Sequence, residues 1–122
     1  MEKAELFTGR IMPFCDRAGT RPALRVALRQ LVRSGTSIGA NISEAQSAES
    51  RADFVHKLSI ALKEARETSY WLRTLKTDVS VDQSVRDGLY DDCVELIRLL
   101  VAIIKTTKDS DEKGGASNIL NS

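Results

Sequence analysis

From Phe54 to Val79, small or apolar residues return at intervals of four and three without an error: Phe54, Leu58, Ala61, Ala65, Thr68, Leu72, Leu75 and Val79. A strand alternates with a period of two and a solvated loop has no period, so seven such intervals commit this segment to a helix with one face in a seam. Val55 and Leu62 widen that face and predict contact with more than one neighbour. At its start, Ser50 and Asp53 have the spacing of a capping box, whose hydroxyl and carboxylate satisfy free N–H groups of the first turn.

Three further helices supply the neighbours. Ala4, Phe7, Ile11, Phe14 and Ala18 form a first seam. Pro13 cannot donate to the carbonyl of Gly9, which predicts a kink or short break between them. Gly19 suits a left-handed helix end, and Thr20 with Pro22 opens a second helix running from about Pro22 to about Ser47. Ser80 and Gln83 repeat the capping-box spacing before a fourth helix, in which Val85, Leu89, Cys93, Leu96, Leu100 and Ile103 form one stripe. Beside it run Tyr90, Ile97, Val101 and Ile104. That double stripe is wider than one bundle face buries, so the second is assigned to an oligomer interface. No period survives after Lys105, which places the bundle at residues 1–108 and a disordered tail at 109–122. The fold class expected is all-α, an antiparallel up-down-up-down four-helix bundle.

Composition agrees. A chain of 122 residues holds one core, and 5% aromatic residues with 2 Pro and 7 Gly disfavour sandwiches and barrels. The formal net charge of +1 hides an asymmetry: residues 1–40 carry seven Lys/Arg and three Asp/Glu of the totals of 18 and 17. Cys15 and Cys93 lie in apolar helical surroundings and read as buried thiols in a reducing compartment. Met1–Arg10 lacks the apolar run of a signal peptide, and Leu96–Ile104, broken by Arg98, is about half the length of a membrane span. A cytoplasmic protein with no membrane partner is expected.

The second helix is the unusual one. Leu24, Leu28, Leu31, Gly35, Ile38 and Ile42 fall within about 80° on a helical projection, the width of a core-facing stripe. Gln30, Ser34, Ser37 and Asn41 flank it at spacings of four, three and four. Short polar residues are mediocre helix formers, so this seam is expected to meet another helix. Gly35 and Gly39 each cost roughly 1 kcal/mol against Ala in a helix interior, which predicts close approach of a neighbouring backbone. On the opposite flank, Arg21, Arg25, Arg29 and Arg33 spread into a basic face. They could position phosphates of RNA or DNA, or pair with the acidic opening of the fourth helix at Asp82, Asp87, Asp91, Asp92 and Glu95. No aromatic residue interleaves them, which argues against single-strand stacking.

The inventory for catalysis is short. Arg51 and His56 have the R-x4-H spacing of HEPN-type ribonucleases, but a lone match in an Arg-rich chain is weak, and a solvated histidine is the simpler reading. With His 1 and two distant Cys, no di-iron or zinc spacing exists, and no phosphate-cradling Gly loop or nucleophile elbow is present. No cofactor, no metal and no enzymatic activity are therefore expected.

The stretch Q-L-V-R-S-G-T-S-I-G-A-N-I-S-E-A, followed by D-F-V-H-K-L-S-I-A-L-K-E-A-R-E, resembles a bacterial four-helix-bundle family. That family includes proteins encoded by intervening sequences in 23S ribosomal RNA genes and accessory proteins of diversity-generating retroelements. Gln30, Arg33, Ser37, Ile38, Asn41, Ile42 and Glu44 carry the match, with Phe54 to Leu58, Ala61 and Glu64. Ala45 stands where the family usually has Gly. The resemblance implies a ring-like homopentamer and, for the retroelement members, a basic surface engaging nucleic acid and a reverse transcriptase. The function expected is a self-assembling scaffold or adaptor. A nucleic-acid-binding accessory factor is the alternative, and a HEPN-like ribonuclease stands behind both.

Overall fold

The four seams become four helices: α1 (Glu2–Arg17), α2 (Pro22–Gln46), α3 (Arg51–Thr74) and α4 (Gln83–Asn121). The computed structural model describes the backbone of residues 1–19 and 21–121 and the side chains of 1–19 and 21–110. The described residues contain no strand. Each helix packs on its neighbours in sequence and α1 also meets α4, while among the described residues the backbones of α2 and α4 stay apart, on the diagonal of the bundle. This makes a four-helix bundle around one core, in which Phe7, Ile11, Leu31, Ile38, Leu72, Leu89, Leu96 and Leu100 are fully enclosed. Each such side chain contributes about 1.5–3 kcal/mol on leaving water. No helix among the described residues is long and apolar enough to cross a membrane.

Helix starts follow local chemistry. Pro22 occupies the first turn of α2, where a missing N–H costs nothing. Ser50 caps α3 by accepting the Asp53 N–H at 3.0 Å, and the Asp53 carboxylate takes the N–H of Glu49 at 3.4 Å. The turn after α2 needs no glycine: Ser47 N–H donates to Glu44 O and Ala48 N–H to Ala45 O, each at 3.1 Å, while Ala45 itself stays buried.

Several helix ends differ from the sequence reading. α1 passes through Pro13 without a break. Gly9 and Pro13 are both exposed, so the carbonyl that loses its donor lies on the solvent side of the helix. Gly19 is not left-handed; α1 ends at extended Ala18, with φ −74 and ψ 162, and no described glycine has positive φ. What Gly19 provides is space, because a Cβ there would lie 3.2 Å from the Ser80 Cβ. Thr20 and the side chains of 111–122, which include most of the expected tail, lie outside the described residues.

α3 ends at Thr74, one turn before the seam does, and Val79 is 97% exposed. Asp78 draws the chain away there by accepting the Ser80 N–H at 2.8 Å. That bond, followed by the Arg21 guanidinium, holds the Asp78 carboxyl below its ordinary range. α4 is consequently capped by Asp82, whose carboxylate accepts the Val85 N–H at 3.1 Å, and not by Ser80. Gln83 reaches back instead to the carbonyls of Leu75 and Asp78 at 2.8 and 2.9 Å.

Candidate functional site

The polar flank of α2 faces α3. Ser34 is fully buried, 2.9 Å from the Thr68 hydroxyl, which is also 2.7 Å from the Glu64 carbonyl. Two small hydroxyls at the centre of a helix pair let the backbones approach and leave neither oxygen orphaned. One heptad away, Asn41 donates to the Ser37 carbonyl at 2.9 Å and to the Ser37 hydroxyl at 3.1 Å, so these two bond within α2. Glu44 accepts from Lys57 of α3 at 2.8 Å. Gln30 accepts from Arg33 Nε at 3.0 Å.

Truncating one buried hydroxyl strands its partner, whereas removing both restores an apolar contact. Ser34→Ala alone is expected to cost about 1–2 kcal/mol, and Ser34→Ala with Thr68→Val to recover most of it. Urea unfolding of Ser34→Ala, Thr68→Val and the double variant checks this; a double variant as weak as the sum of the two singles would contradict the pairing.

The two glycines of α2 face α1. A Cβ on Gly35 would meet Ile11 side-chain carbons at 3.3 Å, and one on Gly39 would meet the Thr8 hydroxyl at 3.0 Å and the Ala4 carbonyl at 3.8 Å.

The arginines do not form one free basic face. Arg33 bridges Glu64 at 3.2 Å and Glu67 of α3, and Arg21 holds Asp78. Arg25 and Arg29 are exposed beside Cys15 and Asp16 in the α1–α2 groove. In the acidic part of α4, two carboxylates are answered by α1 rather than α2: Lys3 bonds Glu95 at 2.7 Å and Arg10 bonds Asp92. Diagonal placement of α2 and α4 is the reason.

The stripe assigned to a subunit contact divides. Ile104 is 9% exposed and packs into the chain's own core, Tyr90 and Ile97 are half-buried, and Val101 is 40% exposed. Leu99, outside that stripe, is 37% exposed.

Arg51 and His56 are both exposed on α3. Five residues apart on a helix, they point about 140° from one another. Among the described residues no group of three or more His, Cys, Asp or Glu is placed to hold a metal ion.

Burial pushes the Cys93 thiol up to about 12, and burial with the nearby Asp16 charge does the same to Cys15. The Cys93 thiol lies 3.2 Å from the Ala65 carbonyl. Both remain protonated thiols near neutrality, and a thiol is a poor nucleophile. Above pH about 9 the unfolded chain releases these protons while the folded chain keeps them, so stability is expected to fall as pH rises toward 12. Alkylation by a thiolate-directed reagent at pH 8 should be slow in the native protein and rapid in denaturant; equal rates would contradict the burial.

One functional-looking residue escapes the sequence pattern. Arg86 is 4% exposed and stands in register with Cys93 and Leu100, where a core residue belongs. Its guanidinium donates to the Leu72 carbonyl at 2.9 Å, to Gln83 Oε1 at 2.9 Å and to Asp87, and it lies 5.8 Å from the Tyr90 ring centre. The spacing of 86, 89, 93, 96 and 100 was available as a signal, but a charged residue hides from a search for apolar periods.

Comparison places this geometry among known proteins. The family model for the 23S rRNA-intervening sequence protein matches residues 1–102. A solved structure from Bacteroides thetaiotaomicron, described as a protein with unknown function from the S23 ribosomal protein family, is 43% identical. It aligns over 85% of this chain and 96% of its own, with a TM-score of 0.78. No curated protein matches the chain.

Proposed function

We propose that this chain, which belongs to the 23S rRNA-intervening sequence protein family, works as a non-enzymatic, self-assembling scaffold or adaptor in the cytoplasm. The unit would be an antiparallel up-down-up-down bundle, and the assembly a ring-like homo-oligomer, a homopentamer as the family resemblance implies. The topology is supported by contacts whose numbers rise on one helix and fall on the next: Thr8 with Gly39 and Cys15 with Leu28, then Ser34 with Thr68 and Glu44 with Lys57. Assembly is supported chiefly by Val101, left outside the core of α4 next to half-buried Tyr90 and Ile97. A patch of this kind favours a protein contact over water.

Sedimentation at micromolar concentration is expected to give a species several times the 13.5 kDa chain mass. Val101→Asp should shift it toward monomer with an unchanged helical spectrum. A monomeric wild type overturns the reading. RNA cleavage by the wild type that disappears in His56→Ala would overturn its non-enzymatic part. An RNA, a DNA or a nucleic-acid enzyme bound through Arg21, Arg25, Arg29 and Arg33 is the weaker reading, since it must first displace Asp78 from Arg21, and Glu64 and Glu67 from Arg33.

A further inference from the structure

The exposed face of α3 from His56 to Arg73 carries Lys63, Arg66, Tyr70 and Arg73 and no carboxylate. Among the described residues no ion pair holds any of these three cations. Tyr70, 52% exposed, stands between Arg66 and Arg73 and is braced edge-on by Trp71, with ring centres 5.0 Å apart. The adjacent helix has the opposite charge: Asp87, Asp91 and Glu95 recur every four residues along the outer side of α4. Asp91 has no ion pair among the described residues, while Asp87 and Glu95 keep 64% and 52% of their side-chain surface open beside Arg86 and Lys3.

The two charged stripes stand at the same height on the bundle. Arg86 bonds the Leu72 carbonyl and Cys93 lies against the Ala65 carbonyl, and both links keep one register between α3 and α4. Arg66 is therefore level with Asp91 and Asp92, Lys63 is level with Glu95, and Arg73 lies within about 3 Å of the level of Asp87 at 1.5 Å per residue. Yet the stripes face outward from different corners of the bundle, and among the described residues no ion pair joins them.

We infer that the α3 stripe of one copy docks on the α4 stripe of the next copy, so that Lys63, Arg66 and Arg73 meet Glu95, Asp91 and Asp87 across the contact. This rests on the proposed self-assembly and names a charged contact in its interface, beside the apolar residues of α4. Two different, mutually complementary patches make a head-to-tail contact, which closes into a ring only if each step adds rotation without rise. Equal height of the two stripes satisfies that condition for a ring axis along the bundle. Tyr70 supplies the apolar centre of the contact, and the charges set its register.

The test uses the full chain in light scattering at 50 mM and 500 mM NaCl. Lys63→Glu with Arg66→Glu and Arg73→Glu should raise the dissociation constant at least about tenfold at low salt through like-charge contact. Asp87→Lys with Asp91→Lys should do the same, and both sets in one chain should restore assembly. Wild-type assembly should weaken at 500 mM NaCl, where exposed charges are screened. Assembly unaffected by either set overturns this interface while leaving self-assembly standing; a monomeric wild type overturns both. Failure of the combined set to restore assembly, with helical content unchanged, also overturns it. So does an α3 set that leaves the oligomer intact but abolishes binding of a labelled single-stranded RNA, which would make this face a nucleic-acid surface.

Discussion

Arg86→Ala is expected to lose about 3 kcal/mol of stability, roughly 12 °C in melting temperature for a domain of this size. The guanidinium fills a core position and ties the end of α3 to the beginning of α4. It takes the Leu72 carbonyl, in the last turn of α3, and steadies Gln83, which itself bonds two carbonyls of the connection. Asp87 remains largely in water when Arg86 is removed, so no buried charge is stranded, and the loss falls at the lower end for breaking a buried ion pair. Arg86→Met keeps the stem and should recover the packing part, leaving the hydrogen bonds as the difference between the two variants. Arg86→Lys is not conservative here, because an ammonium cannot reach the Leu72 carbonyl, Gln83 and Asp87 with one planar fork. Denaturant unfolding reads all three; an Arg86→Ala variant within 1 kcal/mol of wild type would show that the connection is held by Asp78 and Gln83 alone.

Gly35→Leu should be similarly damaging, by about 3 kcal/mol, because Ile11 is completely enclosed and has no direction in which to retreat. The same reasoning gives Gly39→Ala the opposite sign. Its Cβ would meet the hydroxyl of Thr8, a half-buried side chain that can rotate off the Ala4 carbonyl, so the helix-propensity gain of up to about 1 kcal/mol should survive. A double-mutant cycle between Gly35→Leu and Ile11→Ala tests the contact directly. Additive losses would mean that α1 and α2 are not wedged against one another at this pair.

Much of the secondary structure was legible because helical period, capping chemistry and proline placement act within a few residues. Ser50 caps α3, Pro22 opens α2, and the seam of α3 from Leu58 to Leu75 is buried, since each depends on spacing along one backbone. The misreadings also have local causes. Val79 continues the period but not the helix, because the Asp78 carboxylate captures the Ser80 N–H and turns the chain. Ser80 has the capping spacing, yet Asp82, two residues later, accepts the free Val85 N–H of the first turn.

The candidate site was legible only in residue type. Small and polar residues on α2 announced a close helix contact, but two different helices answer it: Ser34 faces Thr68 of α3, while Gly35 and Gly39 face Ile11 and Thr8 of α1. The basic flank of α2 could have met phosphate or the acids of α4. In the folded chain α2 lies diagonally across from α4, so Arg33 takes Glu64 and Glu67 of α3, while Glu95 and Asp92 of α4 take Lys3 and Arg10 of α1. Arg86 shows the same limit from the other side, a charge in a core register whose partners are a carbonyl of another helix and Gln83 at the start of its own.

By itself the sequence determined that this chain makes helices, roughly where they begin, and which faces leave water, because those properties arise from periodicity and short-range hydrogen bonding. Only the tertiary structure decided which helix neighbours which, and hence which charges are neutralised inside the chain and which remain outside. Long side chains pair with whatever packing brings within a few ångström, and that distance is a property of the assembled bundle.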